Sequence, residues 1–67
     1  MDREQIKAAF LEAVPVECGG IVYAYISAIT YRRHAGQVIV QAELMDKHKN
    51  SVTIAQPEKV YRIGKGV

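Results

Sequence analysis

Thirteen consecutive residues, IVYAYISAITYRR (21–33), carry apolar side chains on both alternating sets of positions, and this constrains the fold most. The even set is Val22, Ala24, Ile26, Ala28 and Thr30; the odd set is Ile21, Tyr23, Tyr25, Ser27, Ile29 and Tyr31. Side chains of a strand point alternately to its two faces, so this strand needs cover on both. The rest of the chain must wrap around it. That chain has only 67 residues, and a domain of this size buries about 60% of the surface its unfolded chain exposes. It contains one cysteine, Cys18, so no disulfide within the chain can help. Regular packing or a partner must supply what a larger core would. With 49% apolar and 24% charged residues, the composition is that of a globular domain.

The flanking segments supply the cover. DREQIKAAFLEAVP reads as a helix over 2–13. Asp2 with Gln5 forms a capping-box pattern, and Ile6, Ala9, Phe10, Ala13 and Val14 fall on one face. Pro15 stops it. A short strand at 16–18 then turns at Gly19-Gly20, where paired glycines tolerate positive φ. QVIVQAELMD alternates Val38, Val40, Ala42 and Leu44 with Gln37, Gln41 and Glu43, a strand with one buried face. SVTIAQ continues the pattern, PEKV reads as one helical turn, and YRI makes a last short strand. Turns are expected at 19–20, 34–36 and 47–50, the second closed by Gly36 and the third by Asn50. The expected core is Phe10, Val22, Ile26, Val38, Val40, Leu44, Val52 and Ile54. One domain over 1–63 is expected, with a β unit over 16–63 and a flexible tail at 64–67.

This order, one helix and then five short antiparallel strands with a helical turn before the last, resembles an SH3-like barrel in its Sm-like version. The resemblance implies an α+β, mainly β fold built as a small five-stranded antiparallel barrel. The segment YISAITYRR…QVIVQAELMDKHKNSVTIAQPEKV also resembles short uncharacterised accessory proteins of phages and mobile elements in Gram-positive bacteria. It spans about half the chain and implies a biological context rather than a reaction.

Several chemistries find no support in the residues. Cys18, His34 and His48 lack the paired spacing of a structural zinc site, so no metal and no cofactor are expected. A nucleophilic Cys18 would need a base, an orienting group and a pocket, and tight hairpins leave little room for one. The chain is therefore expected not to be an enzyme. Its longest apolar run is far short of a membrane span, and MDREQIKAAF lacks the apolar stretch of a signal peptide. A cytoplasmic address without membrane contact is the expectation.

Charge and aromatic residues direct attention to binding. Residues 1–30 carry a net −2 and residues 31–67 a net +4, which points to an anionic partner for the second half. The basic residues of RRH and of KHK should lie at opposite ends of one strand. Arg32, Arg33, Lys59 and Arg62 should share one end. Tyr23, Tyr25 and Tyr31 share a parity, with Tyr31 nearest the basic tip. Two functions from different classes fit. In the first, a non-catalytic binding module contacts a nucleic-acid backbone through Arg32, Arg33, Lys59 and Arg62, and Tyr31 stacks on a base. In the alternative, the chain is a protein-interaction or self-assembly module, a homo-oligomer included, acting through an edge strand or through Ile39, Gln41 and Met45 on the otherwise polar face of one strand.

Overall fold

The computed structural model describes residues 1–63, so the tail expected at 64–67 lies outside the described residues. Helix α1 spans Arg3–Glu12 and is followed by β1 (Val16–Cys18), β2 (Ile21–Tyr23), β3 (Tyr25–His34), β4 (Gln37–Met45), β5 (Val52–Ala55), a 3-10 turn (Pro57–Lys59) and β6 (Val60–Arg62). The capping box forms as read. The backbone N–H of Gln5 donates to Asp2 Oδ1 at 2.8 Å, and that of Asp2 donates to Gln5 Oε1 at 3.0 Å. Ala13 ends the helix in the left-handed region at φ 55°.

The strands form two three-stranded antiparallel sheets, ordered β2-β1-β6 and β3-β4-β5. The domain is α+β and mainly β, but it is not a closed five-stranded barrel. The long strand expected over 21–33 breaks at Ala24, whose N–H donates to the Met45 carbonyl at 2.8 Å, and the chain passes there from one sheet to the other. Ser27 interrupts the second part. Ile26 pairs with Leu44 and Ala28 with Glu43, so Ser27 is the extra residue of a β-bulge. Its hydroxyl lies 3.1 Å from both the carbonyl and Oε1 of Glu43.

The bend and the bulge each reverse the parity of the strand. The core therefore takes Tyr23, Ile26 and Ile29, three apart, and not one alternating set. One cluster gathers Ile6 and Ala9 of α1, Val16, Tyr23 and Val60 of the first sheet, and Ile26, Ala42 and Leu44 of the second. Phe10 packs at its margin. Of the other expected core residues, Ile26, Val40 and Leu44 are buried, whereas Val22, Val38, Val52 and Ile54 are exposed. Val22 pairs with Glu17 on the face away from the core. Val38 lies on the hairpin stem, where residues 31–38 are all exposed. Val52 and Ile54 pair with Met45 and Glu43, which puts them on the outer face, while Ala55 and the exposed Thr53 lie on the side of Ala42 and Leu44.

The turns fall where expected, with Gly36 in the left-handed region as read and a different residue there only in the third. His34 pairs with Gln37, so the first hairpin closes in two residues, Ala35 (φ 49°) and Gly36 (φ 78°), as a type I′ turn requires. In the loop after β4 the left-handed residue is Lys49 (φ 60°), not Asn50. Asp46 organises that loop: Oδ2 accepts from the His48 N–H at 2.8 Å and its carbonyl from the Lys49 N–H at 2.9 Å. A non-glycine residue in this region costs about 1–2 kcal/mol. Ala35→Gly and Lys49→Gly are each expected to raise the unfolding free energy by about 0.5–1 kcal/mol. Urea denaturation checks this, and a loss of stability in either variant would mean that its turn has another geometry.

Candidate functional site

The hairpin β3–β4 positions nearly every candidate residue. Because of the bulge, Tyr31 and Arg33 share the face turned toward α1, paired with Val40 and Val38. Arg32 and His34 point to the opposite, outer face with Ile39 and Gln37. The Arg32 Nε–H donates to Gln41 Oε1 at 3.3 Å on that outer face. The two arginines therefore cannot close on one phosphate together. The second basic loop, 46–51, adjoins the start of β3, where Tyr25 pairs with Met45. It lies a full strand, about 30 Å, from the tip, as the sequence implies.

The expected gathering of Arg32, Arg33, Lys59 and Arg62 forms only in part. The 3-10 turn that carries Lys59 borders β4 at Val38, Ile39 and Val40, on the side of the hairpin stem and of Met1, Asp2 and Arg3. Arg62 is directed elsewhere, its Nη1 donating to Glu12 Oε1 at 2.9 Å across an exposed ion pair. Glu12 is at the far end of α1, about 14 Å along the axis from Arg3. Such exposed pairs contribute about 0.2–1 kcal/mol. The three tyrosines separate as well. Tyr23 is buried in the core, Tyr25 pairs with Met45 on the outer face, and Tyr31 is 66% exposed on the helix side.

Ile39, Gln41 and Met45 do share one face, and the structure adds to it. Cross-strand pairing sets Val52 and Ile54 of β5 beside Met45 and Glu43, and Ala28 and Thr30 of β3 beside Glu43 and Gln41. Val52 is 47% and Ile54 54% exposed. Sequence reasoning missed these two because alternation favours the apolar parity of a strand as its inward one. β5 pairs only with β4, so its other edge is open among the described residues.

Cys18 is half-buried in β1, His34 sits at the hairpin tip and His48 in the opposite loop. Among the described residues no group of three His, Cys, Asp or Glu side chains is placed to hold a metal ion. None of the described helices is long and apolar enough to cross a membrane. No protein-family model, curated protein or solved structure matches the chain.

Proposed function

We propose that the chain is a non-catalytic assembly module that pairs with a second copy of itself through the outer face of β3-β4-β5. The observation that carries this is the apolar group Met45, Val52 and Ile54, its β5 members about half exposed, with Ile39 farther along the same face beyond Glu43 and Gln41. An apolar group of this kind on a small domain marks a contact surface. The face also suits its own copy electrostatically. Arg32 and Glu43 lie on it at separate levels of the ladder, so a two-fold arrangement brings each copy's Arg32 toward the other's Glu43. A second copy also adds the buried area that a 67-residue chain lacks. The SH3-like layout, with a strand that bends between sheets at Ala24 and a 3-10 turn before the last strand, and the likeness to accessory proteins of mobile elements belong to this proposal.

A second reading rests on the tip. Arg32, Arg33 and His34 are exposed, and among the described residues none is in an ion pair. In this reading Arg32, Arg33 and Lys59 contact nucleic-acid phosphates and Tyr31 stacks.

Light scattering after size exclusion separates the two. Mass is expected to rise toward that of a dimer with concentration and to stay monomeric in Ile54→Asp, while the pair Arg32→Ser and Arg33→Ser leaves it unchanged. A strict monomer at millimolar concentration, together with oligonucleotide binding that falls steeply with salt and is lost with the two arginines, would replace assembly by phosphate binding.

A further inference from the structure

On the other side of the same hairpin, α1 and β3–β4 leave an open groove of about 380 Å³, within the size range of ligand-binding clefts. Ile6, Phe10, Ile29 and Val40 form its floor, and Leu11 and Tyr31 flank it. Leu11 is 70% exposed, so both flanking side chains are largely uncovered. The rim is basic. Arg3 and Lys7 line it one helical turn apart, Arg33 follows Tyr31 on the same sheet face, and Glu4 is the one acid in the lining. Among the described residues none of these three cations is in an ion pair.

We propose that this groove docks a short peptide segment whose apolar side chains are flanked by aspartates and glutamates. The floor is mostly aliphatic, which receives a leucine or phenylalanine anchor, whereas stacked bases want a row of aromatic platforms. Arg3 and Lys7, with Glu4 the one acid beside them, leave the rim net positive, which complements an acidic segment and selects against basic ones. This surface is separate from the outer sheet face, and its occupation does not depend on self-association.

A nuclear magnetic resonance titration of the full chain tests it with three synthetic dodecapeptides. The first has leucines and a phenylalanine flanked by acids, the second has lysines in place of the acids, and the third has serines in place of the apolar residues. Only the first is expected to shift the amides of Lys7, Leu11, Ile29 and Tyr31 saturably, with its Kd rising about fivefold or more between about 50 and 500 mM salt. Arg3→Glu with Lys7→Glu should weaken it about tenfold. Lys47→Glu with Lys49→Glu, the same change of charge in the opposite loop, should not. Circular dichroism checks that both double variants are folded. An equal response to the lysine peptide, shifts on another face, or no saturable response to the acidic peptide at millimolar concentration overturns the proposal. So does an oligothymidylate that shifts the same amides and displaces the peptide, which would assign the groove to nucleic acid.

Discussion

Leu44→Ala is expected to lower the unfolding free energy by about 2–5 kcal/mol, the range for emptying a filled core site. For a domain of this length that is a large part of the total, which runs at about 0.05–0.15 kcal/mol per residue. Leu44 is 0% exposed and joins the cluster shared by the helix and both sheets. Ile54→Ala removes a residue of similar size and is expected to change stability by about 0.5 kcal/mol or less, as at other exposed sites. The contrast tests the register of β5, in which Thr53 and not Ile54 pairs with Leu44. Urea denaturation followed by circular dichroism reads both variants. Comparable losses would mean that β5 pairs one residue out of register and turns Ile54 inward.

Ala9→Asp is expected to abolish the cooperative melt at pH 7. Ala9 is fully buried in the apolar cluster where α1 meets the sheets, and among the described residues no polar or charged residue is buried. An unpaired carboxylate at such a position costs several kcal/mol, comparable with the whole stability of the domain. Leu11→Asp on the same helix introduces the same side chain at an exposed position and should shift stability by only about 1 kcal/mol. Thermal melts of the two variants give the comparison. A cooperative melt near that of the unmodified chain in Ala9→Asp would show that α1 does not dock through this face.

Much of the local structure was legible because its causes are local. Asp2 and Gln5 cap the helix through contacts three residues apart. Gly19 and Gly20 close a two-residue hairpin because both adopt positive φ, at 60° and 80°. Pro57 opens the 3-10 turn because its ring presets φ there. The buried set Val40, Ala42 and Leu44 follows from strict alternation along β4. The contact face was legible in part. Ile39 and Met45, beside Gln41, depart from that alternation and so mark the face, whereas nothing in the pattern marks their β5 neighbours.

The helix and the turns were legible because capping and turn chemistry act over a few residues, whereas the division of 21–33 into two strands was not. Tertiary packing set the inward side of β3 and β5, while that of β4 follows its alternation. Residues 21–33 must cover one core from two sheets, so the chain bends at Ala24 and bulges at Ser27, and each irregularity reverses the parity of the residues beyond it. The bulge decides that Tyr31 and Arg33, and not Arg32, lie on the face toward the helix, whereas the opposite directions of Arg32 and Arg33 follow from the two-residue period alone. The face of β5 is likewise fixed by the geometry of loop 46–51, where Lys49 takes the left-handed position and pairs Val52 with Met45. A shift of one residue there would exchange Ile54 for Thr53. Alternation favours Val52 and Ile54 as the inward pair, and the register imposed by the loop overrides it.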